Sequence, residues 1–152
     1  MSATSSPAAT GDAPLEHLVY VSSAVHPCDA SALEAILDSA VRHNQENGVT
    51  GMLLYKDGNF LQVLEGLPPA VTETFGRVAA DPRHRDVTVI QREPVARREF
   101  GDWHMGFRLL ADRDAPANPA FAPLVFGGFD ARRLGAQPGL ALELLLDFAR
   151  RR

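Results

Sequence analysis

The sequence predicts an α+β domain: one sheet with two helices on one of its faces, followed by a short helical extension. Three observations point there. Five short stretches carry the apolar pattern of strands, and two longer ones carry the helical period. An Asp57-Gly58 pair separates two of the strand-like stretches and is a hairpin signal. The elements follow the order β-α-β-β-α-β-β, a split βαβ arrangement with one strand added.

Residues 16–23 alternate and read as the first strand. Ser31 is placed to cap a helix running to about Glu46, with Leu33, Ile36, Leu37, Ala40 and Val41 on one face. Asn47-Gly48 ends it, because glycine adopts the left-handed conformation without a Cβ penalty. Val49 to Tyr55 and Asn59 to Glu65 form the hairpin around Asp57-Gly58. Pro68-Pro69 opens the second helix, which carries Val71, Phe75 and Val78 to a stop near Asp81-Pro82. Asp86 to Gln91 is the fourth strand, and Trp103 to Leu110 the fifth. This order is ferredoxin-like, with both helices on one sheet face. The other face needs a cover. After the Pro/Ala-rich stretch from Ala115 to Pro123, Leu140, Leu144, Leu145 and Phe148 form an apolar helical stripe expected to cap that face or to pair two subunits. The expected division is a leader at 1–14, a domain at 15–112 and a helical extension at 113–152 that caps, dimerises or carries output.

A chain of 152 residues is long enough for one real core. Its hydrophobic fraction of 45% and charged fraction of 22% are ordinary for a globular protein. A net charge of -4 and a pI near 5.7 give no electrostatic reason to expect nucleic-acid binding. Arg97-Arg98 and Arg150 to Arg152 are short clusters, and the second closes a helix-like segment where cations complement the dipole. A single cysteine, Cys28, excludes an intrachain disulfide and a multi-cysteine zinc site. No apolar run reaches the length of a membrane span. The first fourteen residues lack the basic and apolar regions of a signal peptide, so a cytoplasmic protein is expected.

The stretch Phe60-Leu61-Gln62-Val63-Leu64-Glu65-Gly66 carries the most information. Strand alternation puts Gln62 on one face with Phe60 and Leu64, where an amide is costly to bury unless it is hydrogen-bonded. Leu18-Val19-Tyr20 puts a phenol on another apolar strand. Polar groups from two strands thus meet in one core, as a buried polar ligand would require. Singly, each has a plainer explanation: strand tyrosines are commonly structural, and an asparagine such as Asn44 near a helix end commonly caps or frays. Trp103 and Met105 suit a core, and His43, Arg83 and His84 suit a surface.

Taken together, six segments resemble the BLUF family of flavin-using blue-light sensors. They are Leu18-Val19-Tyr20, Arg42-His43-Asn44, Asn47 to Gly51, Phe60 to Gly66, Asp81-Pro82-Arg83-His84 and Trp103-His104-Met105. They stand in family order and spacing, and the short tail is similar to stand-alone members. The resemblance implies a ferredoxin-like sheet with the flavin ring between the two helices. It implies FAD, with FMN as the other possibility. Tyr20 then corresponds to the photoactive tyrosine, Gln62 to the switching glutamine and Asn44 to an asparagine on the flavin carbonyl edge. His43, Arg83 and His84 match positions contacting the ring edge, ribityl chain or phosphates. Trp103 and Met105 match the fifth-strand pair that competes for the glutamine. A phenol can give an excited flavin an electron and a proton. A glutamine amide, both donor and acceptor, can bridge tyrosine and flavin in two arrangements. Output through the C-terminal helices to an unidentified signalling partner, and a homo-oligomeric state, are implied in the same way. Where the family often has serine, this chain has Ala40.

Two rival readings fit the residues less well. An acylphosphatase-type hydrolase of the same fold needs a glycine-rich loop with an arginine after the first strand, where this chain reads Val-Ser-Ser-Ala-Val-His-Pro. There is no nucleophile elbow, no phosphate-binding loop and no metal-ligand spacing among His17, His26 and His104. A ligand-free interaction module would leave Tyr20, Asn44 and Gln62 without a shared reason. The expectation is therefore a photosensory binding protein without substrate turnover.

Overall fold

Five strands, β1 (Leu15–Ala24), β2 (Thr50–Lys56), β3 (Asn59–Gly66), β4 (His84–Val95) and β5 (Gly106–Leu109), form one sheet in the order β4-β1-β3-β2-β5. β1 lies antiparallel to β3 and β4, β2 lies antiparallel to β3, and β5 joins β2 in parallel. The helices are α1 (Ala30–Asn47), α2 (Pro68–Ala80), α3 (Ala131–Ala136) and α4 (Pro138–Arg150). This computed structural model describes residues 14–26, 29–101, 103–110, 129, 131–136 and 138–150. The leader, Cys28 and the Pro/Ala-rich stretch lie outside the described residues.

The expected element order is the order found, with three local corrections. The cap of α1 is Asp29, whose carboxylate accepts from the Ala32 amide at 2.8 Å, and Ser31 lies inside the first turn. β4 runs well past Asp86–Gln91 in both directions, because its pairing with β1 sets its ends. β5 is shorter than expected: only Gly106 to Leu109 meet β2, so Trp103 and Met105 precede the strand. Gly48 ends α1 at φ 68°, and Asp57 and Gly58 turn the hairpin at φ 51° and 85°, both positive as a tight two-residue turn demands.

Alternation along the central strands sends side chains into two cores. On one face Leu18, Tyr20, Leu53, Phe60 and Leu64 pack with Leu33 and Ile36 of α1 and Val71 of α2. On the other, Val19, Val21, Met52, Leu54, Leu61 and Val63 pack with Leu134 of α3 and Ala141, Leu144 and Leu145 of α4. The side chains of Leu140 and Phe148 lie outside the described residues. The sheet is therefore buried on both sides, and Leu144 is 0% exposed within the second core. Leu144→Ala is expected to cost about 2–5 kcal/mol in urea unfolding through lost transfer energy and a residual cavity. A loss under about 1 kcal/mol would show that α4 is not held on the sheet.

Candidate functional site

The β1–β3 register sets Tyr20 directly opposite Gln62, with both side chains on the face beneath α1 and α2. Both are buried. The Tyr20 hydroxyl donates to Gln62 Oε1. Gln62 Nε2 then points the other way and donates to Met105 Sδ at 3.0 Å. Burial pushes the Tyr20 phenol far up, and the nearby Asp81 carboxylate adds to the shift. The phenol therefore stays protonated and able to donate, and in this arrangement the amide presents its oxygen to it.

The segment before β5 supplies neighbours to both cores. Met105 faces Gln62 and is buried with the α1–α2 core. Trp103 is half-buried and packs against the opposite core, beneath α3 and α4. Asn44, at the end of α1, donates from Nδ2 to the His104 carbonyl at 2.5 Å, joining the helix to this segment. Its own carbonyl accepts the Val49 amide at 2.9 Å.

A cleft opens beside Gln62 between the two helices. One part, with about 470 Å³ of empty space continuous with solvent, is lined by Tyr20, Ile36, Ala40, Leu53, Gln62, Arg77, Val78, Asp81, Arg83 and His84. The adjoining part, about 300 Å³, shares Ala40, Gln62, Arg77 and Val78 and adds His43, Asn44, Leu64 and Thr74. Seven of the eight residues expected at the site, all but Trp103, thus line the cleft or touch Gln62. Ala40 also sits in the wall, where a serine would have offered a hydroxyl.

At the mouth, Arg83 grips Asp81 through Nε at 3.0 Å and NH2 at 2.6 Å, and that hydrogen bonding holds the carboxyl below its usual range. Burial lowers His84, with Asp81 opposing and Arg83 assisting. Its Nδ1 meets Ser22 Oγ at 3.0 Å, which orients the ring.

Two lining residues escape sequence reasoning. Thr74 Oγ1 and Arg77 NH1 are buried without a hydrogen-bond partner among the described residues, and both belong to the cleft. Buried polar atoms are rarely left so, and here they border a space that a ligand can fill. Their three-residue spacing on α2, in step with Val71 and Val78, was the available signal. Apolar walls with a few convergent polar groups fit a planar, partly polar cofactor such as a flavin.

The family model for BLUF, described as sensors of blue light using FAD, matches residues 15–106. The chain is 41% identical over 96 residues to a photoactivated adenylate cyclase subunit beta of Euglena gracilis, covering 62% of this chain and 11% of that protein. It thus spans about a tenth of the length of the curated relatives it matches. A solved structure of BlrB, a BLUF protein in its dark state, superposes with a TM-score of 0.67 at 28% identity, covering 88% of this chain and 99% of that one. BlrP1 of Klebsiella pneumoniae, solved with FMN and cyclic diGMP, gives 0.60 at 29% identity over 82% of this chain and 35% of that one.

A cofactor in this cleft would engage the orphaned hydroxyl of Thr74. Thr74→Val, which keeps the side chain's shape, is expected to weaken FAD binding about three- to tenfold in calorimetric titration. An unchanged Kd would detach Thr74 from the cofactor.

Proposed function

The chain belongs to the BLUF family, sensors of blue light using FAD, and on that premise we propose that Tyr20, Gln62 and Met105 form its light switch. The observation that carries the proposal is the buried relay beside the cleft: Tyr20 O–H to Gln62 Oε1, and Gln62 Nε2 to Met105 Sδ. Bound flavin supplies blue-light absorption and an excited state that is a strong oxidant. Tyr20 is a buried, protonated phenol able to release an electron and a proton. Gln62 can exchange donor for acceptor toward both of its neighbours, by rotating or tautomerising its amide. In the arrangement seen, its N–H₂ faces Met105. In the other, its oxygen would face the thioether, which has no proton to give, so the contact with Met105 would weaken. Asn44, His43, Arg83, His84, Thr74 and Arg77 would hold the cofactor, and Ile36, Leu53 and Val78 would exclude water from it.

BLUF domains are sensory modules. We extend this to the whole chain: it signals without substrate turnover, to a downstream protein and as a homo-oligomer. Segment 103–105 touches both cores, which supports an output through α3 and α4. The proposal includes a cytoplasmic location, in keeping with one cysteine in 152 residues. Among the described residues no helix is long and apolar enough to cross a membrane.

The visible spectrum of the purified protein, dark and just after blue light, tests this reading. A flavin spectrum that moves slightly to the red and recovers in darkness is expected. A colourless protein that refuses added FAD would favour a ligand-free interaction module. Tyr20→Phe and Gln62→Ala should stay yellow yet lose the shifted product, and a normal photocycle in either would remove that residue from the switch.

A further inference from the structure

Glu65 is 0% exposed on the sheet face opposite the cofactor cleft. A buried carboxylate needs partners, and this one finds them in a single place. Oε2 accepts the Glu99 amide at 2.8 Å, and Oε1 accepts the Phe100 amide at 2.8 Å. Thr50 Oγ1 donates to Oε1 at 3.3 Å and accepts from Arg98 NH1 at 2.9 Å. Arg98 also donates to the Glu65 carbonyl at 3.1 Å and the Gly48 carbonyl at 2.8 Å. Because both oxygens accept backbone N–H groups, the geometry is that of an ionised carboxylate. Burial holds the group above its usual carboxylate range, and those amides, Thr50 and Arg98 offset only part of that rise. His17 stands opposite on β1, but its Nε2 lies 3.4 Å from Glu93 Oε1 and, among the described residues, neither ring nitrogen makes a hydrogen bond, so the bonds of Glu65 go to the link between β4 and β5.

That link leads straight to the switch. The Phe100 carbonyl accepts the Trp103 amide at 3.1 Å, and the Trp103 carbonyl accepts the Gly51 amide at 3.1 Å. Gly51 itself is set by the β2–β3 pairing, since a Cβ there would lie 2.0 Å from the Val63 carbonyl oxygen. Two residues after Trp103, Met105 meets Gln62. Gln62 and Glu65 thus hold the same segment from opposite faces of one strand, one at Met105 and one at Glu99 and Phe100.

We propose that Glu65, tied to Thr50 and Arg98, is a positioning residue that sets how firmly the 99–105 segment resists the rearrangement of Gln62, and so sets the lifetime of the lit state. It touches neither cofactor nor cleft. The inference rests on the photoreceptor reading above for its kinetic consequence, but its structural half stands without the cofactor.

Two variants and two readouts test it. Glu65→Gln replaces an acceptor with an N–H₂ group facing a backbone N–H, and Thr50→Val removes the hydroxyl between Arg98 and Glu65 while keeping its shape. Trp103, the one tryptophan of the chain, reports the segment by its emission in FAD-free protein. In both variants FAD should still bind, Trp103 emission should move to longer wavelength, and dark recovery should quicken by at least about threefold. Glu65→Asp should fall between Glu65→Gln and the parent. A fall in Tm with Trp103 emission and recovery both unchanged would make Glu65 merely structural and overturn the proposal. Should Glu65→Gln not fold, Thr50→Val decides by the same readings. A parent protein with no light-induced shift would sink the photoreceptor reading instead, leaving the Trp103 emission to judge the clamp.

Discussion

The register of β1 against β3 is the constraint on which the site depends. It sets Tyr20 opposite Gln62, and because cross-strand partners share a face, it sends phenol and amide together into the core beneath α1 and α2. A slip of β3 by one residue would turn Gln62 toward the opposite core, away from Tyr20, and bring Leu61 and Val63 to the cleft. Tyr20 and Gln62 are therefore held by the apolar pattern of their own strands. Leu18 and Leu64 fix the same face that the phenol and amide occupy, and Val19 and Val63 fix the other.

Burial on both faces makes β3 a coupling element. Any change at Gln62 is made in a strand whose neighbours, Leu61 and Val63, are locked against α3 and α4. Close-packed interiors do not yield continuously, so rearrangement is steered toward the part of the site least bound to the sheet. That part is the stretch ahead of β5, a strand that meets the sheet through only four register pairs, Met52 to Tyr55 with Gly106 to Leu109. Met105 answers to one core and Trp103 to the other, so movement of this stretch alters both.

Much of this was legible in the residues, and the rest was hidden for physical reasons. Alternation placed Gln62 with Phe60 and Leu64, and Gly48 and Asp57-Gly58 marked their turns, because these are local consequences of side-chain period and backbone freedom. β4 reads short in the sequence because it is an edge strand: its exposed Arg85, Asp86, Arg92 and Glu93 break the apolar pattern, and Pro94 is tolerable only there. Asp29 displaced Ser31 as cap because chain entry into the helix, which one turn of sequence does not settle, chose between two competent oxygens. The role of Glu65 was out of reach, since its amide partners lie 34 and 35 residues away.

The two buried polar groups of β3 show how the chain separates scaffold from site. Glu65 has both carboxylate oxygens occupied by backbone amides, so nothing is left for a ligand, and the cost of burying its charge is met inside the fold. Around Gln62 the accounts stay open: Thr74 Oγ1 and Arg77 NH1 border the cleft unpartnered. Among the described residues His17 and Gln91 also carry buried polar atoms without a hydrogen bond, but those of Thr74 and Arg77 differ in bordering a space that a cofactor would fill.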